Sequence, residues 1–230
     1  MEETIQALAH PFPSVTPEKG KVIYGGSQAL LPAKKVQDAG CGVIASANLL
    51  VYLTRYHRQS DGLFDRFSRK THIPLEAFNS ACMKIARGLL RPIPGFGIIG
   101  TFLADGLNLY FRRHRMPYRA RWCFRRGPMW ERMEKMLAND LPVIFAVGPN
   151  WPMWKKHNLL FYQQMPDGSY KARSQTRGHF ITVTGMSEHW LRVSSWGKRM
   201  YINRDEYEAY VREHSSPIFC NLLLLTEKKR

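Results

Sequence analysis

Gln37-Asp38-Ala39-Gly40-Cys41-Gly42-Val43-Ile44-Ala45-Ser46-Ala47 is the stretch on which the fold turns. Asp38-Ala39-Gly40 has the composition of a turn. From Gly42 to His57 the chain then runs GVIASANLLVYLTRYH, apolar or small on every face until Arg55. A surface helix needs only one apolar stripe, whereas a helix apolar all round must be packed from several sides. The helix expected over 42–57 therefore belongs in a core, with only its N-terminal tip free to meet solvent. Cys41 sits at that tip, where unpaired N–H groups and the positive end of the helix dipole favour a thiolate. The position predicts a cysteine of lowered pKa.

A second informative stretch, HFITVTGMSEHWLRVSSWG from His179 to Gly197, reads as a hairpin turning near Ser187-Glu188. If Gly185 pairs with Trp190, Trp196 lies opposite His179, and Ser194 and Trp196 share the face of the histidine. A slip of one residue would exchange Ser194 for Ser195. A thiol at a helix start and a histidine on a strand are the two parts of a Cys–His nucleophile and base.

These residues resemble the papain-like cysteine peptidases. Ser194-Ser195-Trp196-Gly197 is similar to the Asn-Ser-Trp-Gly and Asp-Pro-Trp-Gly segments of that superfamily, which follow the catalytic His by one strand. The resemblance implies Cys41 as nucleophile, His179 as base and Ser194 as the residue that orients the imidazole. Serine is shorter than Asn and uncharged; the orienting carboxylate of a serine triad is worth about 10⁴ in rate, which bounds what a Ser could forfeit. A Gln shortly before the Cys usually joins the Cys N–H in the oxyanion hole. The resemblance places that role on Gln37, with Gln28 too far upstream for the family spacing.

The order of elements agrees with the resemblance. A helix is expected over 129–138, stopped by Asn139-Asp140-Leu141-Pro142, then a strand from Val143 to Gly148-Pro149, a strand over 158–164 and a turn at 166–168. The His hairpin, a helix over 204–213 and a last strand over 218–226 follow. The implied fold is α+β, with the Cys helix in a helical part packed on an antiparallel sheet that carries the His. Its nearest likeness is the bacterial branch of double-glycine leader peptidases and their stand-alone relatives.

At 230 residues the chain fits one domain, expected over 31–230 behind an extended Pro- and Gly-rich arm over 1–30. The most apolar stretch, 88–111, is interrupted by Arg91, Pro92, Pro94 and Asp105, so no membrane span is expected. The acidic start MEETIQALAHPFP lacks a secretory pattern and predicts a cytoplasmic location. Cys41, Cys82, Cys123 and Cys220 show no metal-site spacing; the last three read as buried thiols, and no metal or cofactor is expected. Gly95-Phe96-Gly97-Ile98-Ile99-Gly100 matches a dinucleotide-binding string by letters, but Arg-Pro-Ile-Pro before it is hostile to the strand that motif requires. It reads as a bend feeding a helix over 101–112.

Thirty-four basic against 18 acidic residues give a formal charge of +16. Arg112, Arg113, Arg115, Arg119, Arg121, Arg125 and Arg126 fall together without an acid, among Tyr118, Trp122 and Phe124. That composition suits contact with a polyanion or an acidic protein, or equally a helix end and an edge strand guarded by charge. The sequence thus supports a thiol hydrolase acting on a peptide or protein substrate. Its rivals are a non-catalytic binder on the same fold and a transferase sharing the thioester intermediate.

Overall fold

The computed structural model describes residues 6–57, 63–67, 70, 72–93, 97–125 and 127–228. The chain begins with three short strands, β1 (Gln6–Ala7), β2 (Ser14–Thr16) and β3 (Ile23–Tyr24), and a helical turn at Gln28–Leu30. Helices α1 (Lys34–Ala39) and α2 (Cys41–Tyr56), strand β4 (His72–Pro74), α3 (Leu75–Ile85) with a π-helical extension to Leu90, and α4 (Gly100–Arg113) follow. Next come β5 (Tyr118–Trp122), α5 (Met129–Ala138), β6 (Val143–Val147), β7 (Leu159–Gln164) and β8 (Tyr170–Thr176). Strands β9 (His179–Met186), β10 (Trp190–Ser195) and β11 (Lys198–Asn203), helix α6 (Arg204–His214) and β12 (Leu222–Glu227) complete the chain. The large sheet runs β5-β12-β6-β9-β10-β11-β7-β8, with β1 added to the far end of β9, and its paired strands are antiparallel.

Every residue of α2 from Gly42 to Thr54 is buried, as an all-round apolar helix must be. It packs on β9 and β6 from one side and on α3 from another, and its side chains join one continuous apolar core. Helix α6 starts by local chemistry: the Asn203 side chain accepts from the N–H groups of Asp205 and Glu206, both at 3.0 Å, while those two acids meet the positive helix end.

The segment expected as an arm across the surface is threaded into the fold. Phe12 and Val15 are buried, β2 pairs with β3 and β4 in a small second sheet, and β1 lengthens the large one. Asp38-Ala39 closes helix α1 rather than forming an open turn, so two helices meet at Gly40. The last strand opens at Leu222 instead of 218. Ile93 and Gly97 form an isolated bridge and α4 opens directly at Gly100, so among the described residues no strand leads into the glycine string, whose Gly95 and Phe96 lie outside them. All four cysteines are free, and Cys82, Cys123 and Cys220 are buried. Among the described residues no helix is long and apolar enough to cross a membrane.

Strands β10 and β11 are joined by Trp196-Gly197, with Ser195 paired to Lys198. Both turn residues have positive φ, 49° and 73°, the backbone of a two-residue hairpin whose twist matches its strands. A Cβ added to Gly197 would stand 3.2 Å from Ile23. Gly197→Ala is expected to lower stability by about 1–2 kcal/mol, the left-handed penalty of an L side chain, read as a lower urea midpoint at unchanged slope.

Candidate active site

Cys41 is the first residue of α2 and His179 the first of β9. Both line a narrow cavity of about 10 Å³, together with Gln28, Asn48, Ser195 and Trp196. Both also line a larger cleft of about 500 Å³ on the other side, walled by Trp122, Val147, Phe180 and Phe219. The pair thus stands between a cavity with room for about one water molecule and an open groove.

The imidazole is held on two sides. Its Nε2 lies 2.9 Å from Ser195 Oγ, and the Trp196 indole stacks on the ring at 4.6 Å with 7° between the planes. Trp196 is backed in turn by Phe161, which helps hold a non-glycine residue in its left-handed turn position.

Ser194, expected to orient the ring, is not its partner. Its Oγ donates to the Tyr24 carbonyl at 2.8 Å. The reason is register. The turn spans Ser187–Trp190, closed by Ser187 N–H donating to the Trp190 carbonyl at 2.8 Å, so Met186 pairs with Leu191 and Gly185 with Arg192. A bulge between Arg192 and Val193 then sets Val193 opposite Val183 and Ser194 opposite Thr182. The net displacement from the expected pairing is odd, and an odd displacement moves a side chain to the other face. Ser195 therefore shares the face of His179.

Gln37 is likewise displaced. It lies in α1, and its Nε2 donates to the Leu31 carbonyl at 2.6 Å. Gln28 lines the cavity instead. Its Nε2 gives one hydrogen to the Gln37 backbone carbonyl at 2.8 Å, leaving the second free by the chemistry of an amide. The loop delivering Gln28 is clamped from both sides: Gly26 N–H donates to the buried Asn48 Oδ1 at 3.0 Å, and Tyr24 is tied to Ser194 and to the Gly197 carbonyl. At Gly25, φ 73°, an added Cβ would stand 2.5 Å from Ser194 Oγ and 2.9 Å from Asn48. Spacing along the chain could not reveal Gln28, because α1 is interposed between it and Cys41.

Burial dominates the electrostatics. It pushes the Cys41 thiol above its ordinary value, against the opposing backbone N–H groups of Phe180, Gly42 and Cys41 itself. It brings His179 down to about 4. The lowered thiol pKa expected from the helix start is therefore not found: desolvation outweighs the dipole. Both shifts disfavour a thiolate–imidazolium pair at rest.

Of the arginine run, Arg112 and Arg113 end α4, Arg115 has positive φ, and Arg119 and Arg121 point outward from β5 at the sheet edge. Arg125 is exposed, and Arg126 lies outside the described residues. Gly100, where α4 starts, touches Trp122, so a 14-residue helix, about 20 Å long, separates the two ends of the run. Arg112 and Arg113 there also meet the negative end of the helix dipole.

No protein-family description matches the chain, and no curated protein matches its sequence. One solved structure does match in shape. It is described as the "crystal structure of an putative C39-like peptidase from Bacillus anthracis", with a TM-score of 0.51 and 11% identity, covering 97% of this chain and 98% of that one. The chain shares the fold of that structure.

His179 binds a proton more readily unfolded, near pH 6.5, than folded, near 4. Stability should therefore rise with pH across that window and fall as acid is added, saturating below about pH 4. Urea unfolding of wild type and His179→Asn, compared between these limits, should differ by the uptake of about one proton on unfolding. Parallel pH profiles would show that the ring is not buried in its neutral form.

Proposed function

We propose that the chain is a thiol hydrolase that cleaves a peptide or amide bond through a thioester on Cys41. The supporting observation is the convergence of Cys41 and His179 on one cavity that also takes Gln28, with Ser195 on the imidazole Nε2. The fold shared with a C39-like peptidase structure supports that chemistry.

In this reading Nε2–H donates to Ser195 Oγ, which leaves Nδ1 as the acceptor. Cys41 Sγ attacks the carbonyl carbon as its proton passes to Nδ1. Transfer accompanies attack rather than preceding it, because burial disfavours the separated charges. The oxyanion is met by the free amide hydrogen of Gln28 and by the Cys41 N–H, one of the donors a helix start leaves unpaired. The imidazolium then protonates the leaving amine. Water, losing a proton to Nδ1, attacks the thioester; the acid leaves, and the proton returns to the sulfur. Ser195 orients the ring but adds no charge to balance the imidazolium.

The resemblance of the Cys and His segments to double-glycine leader peptidases supports a peptide substrate. The rival reading, a binder of an acidic protein or nucleic acid, is favoured by the uncharged Ser195 and the exposed arginines. One experiment separates them. With p-nitrophenyl acetate as acyl donor, wild type should give a burst of p-nitrophenolate that Cys41→Ala and His179→Ala abolish. Gln28→Ala should slow acylation by about 10²–10³, the cost of one oxyanion donor, and Gln37→Ala far less. A burst that survives Cys41→Ala, or equal loss in the two glutamine variants, would overturn the assignment.

The raised thiol makes its own prediction. Iodoacetamide should modify Cys41 with a rate that keeps rising above pH 8.5, the ordinary thiol value. A plateau reached below neutrality would mean that a thiolate–imidazolium pair exists at rest.

A further inference from the structure

Large apolar side chains stand exposed around the 500 Å³ cleft. Phe102, Phe124, Trp151, Met153, Trp154 and Ile218 are each more than half exposed, Trp154 by 80%. Met153 and Ile218 line the cleft itself. Trp151 lies against Phe219 with ring centroids 6.0 Å apart, and Trp154 follows Met153 in the same turn, where Lys155 N–H donates to the Pro152 carbonyl. Phe102 is on the first turn of α4, beside the Gly100 that touches Trp122. Phe124 stands two residues beyond Trp122, whose Nε1 donates to the Ile218 carbonyl at 2.8 Å. Gly100, Trp122, Met153 and Ile218 all line the cleft, so the six form a rim drawn from four separate segments that meet there.

Cations surround this rim. Arg125, Lys156 and Arg177 are exposed and Lys155 is half-buried, and Arg177 lines the cleft itself. The nearby acids are Asp38 in the cleft, Asp105 on α4 and Glu213, whose carboxylate is already bridged to Arg212 at 3.1 Å.

We propose that this rim docks on an anionic lipid bilayer, which sets the mouth of the cleft at the membrane interface. Tryptophan, with an apolar body and one N–H, is the side chain favoured at the depth of lipid head groups. An apolar centre with a basic border is complementary to anionic head groups over acyl chains. The chain's formal charge of +16 supplies long-range attraction to the same surface.

The test is co-sedimentation of the full chain with vesicles of phosphatidylcholine alone or mixed with phosphatidylglycerol, which needs no catalytic activity. Wild type should bind the mixed vesicles and shift its tryptophan emission to the blue, and should leave pure phosphatidylcholine largely free. Trp151→Ala/Trp154→Ala and Arg125→Gln/Arg177→Gln should each weaken binding by about tenfold or more. Arg112→Gln/Arg113→Gln, at the far end of α4, should change it little. Circular dichroism of each variant separates loss of docking from loss of fold; should Trp151→Ala/Trp154→Ala unfold, Trp154→Lys alone replaces it. No binding to mixed vesicles, binding indifferent to the tryptophans, or equal loss in both arginine pairs would overturn the proposal. So would concentration-dependent self-association buried at the same tryptophans, which would assign the rim to a protein partner.

Discussion

A helix without a polar face can exist in water only if other elements enclose it, and most of this fold is that enclosure. Helix α2 is buried from Gly42 to Thr54, so β9, β6 and α3 must reach it from different directions. One end cannot be covered in the same way, because the first turn of a helix has N–H groups with no partner inside it. The sheet strand that packs on α2 begins with His179, and the helix begins with Cys41. Their meeting follows from two elements that pack face to face and start at the same edge of the core.

The same enclosure sets the charge state of the site. Partial desolvation raises the thiol and lowers the imidazole, and the residue on Nε2 is a hydroxyl that brings no charge to reverse either shift. Ser194, Asn48 and Gly25 form a clamp instead, which presses the Gln28 loop between the hairpin and α2. Adjacent serines thus have different tasks for a geometrical reason: neighbours on a strand face opposite ways.

What could be read from residue order was local. The apolar run after Cys41, the stop at Asn139–Pro142 and the hydrophobic strand at Val143 mark α2, α5 and β6 within a residue or two, because periodicity and helix stops act over one or two turns of chain. Strands β8 and β11 escaped that reading: β8 is an edge strand with mostly exposed side chains, and β11 begins with two exposed cations. Helix α3 was hidden by lying between polar segments with few capping signals, its N-cap being Pro74 without a side-chain bond.

The sequence by itself determined that a core helix starts at Cys41, that a hairpin starts at His179, and that the two belong to an α+β chain. Only the tertiary structure decided which serine meets the imidazole, since a bulge between Arg192 and Val193 changes the face of everything beyond it. Only it brought Gln28 rather than Gln37 to the cysteine, because side chains distant along the chain converge through packing and not through spacing. It alone placed Cys41 and His179 where burial raises the thiol and lowers the imidazole, against the lowered thiol that the helix dipole predicted. A dipole is a property of one helix, whereas desolvation is the sum of everything packed around it.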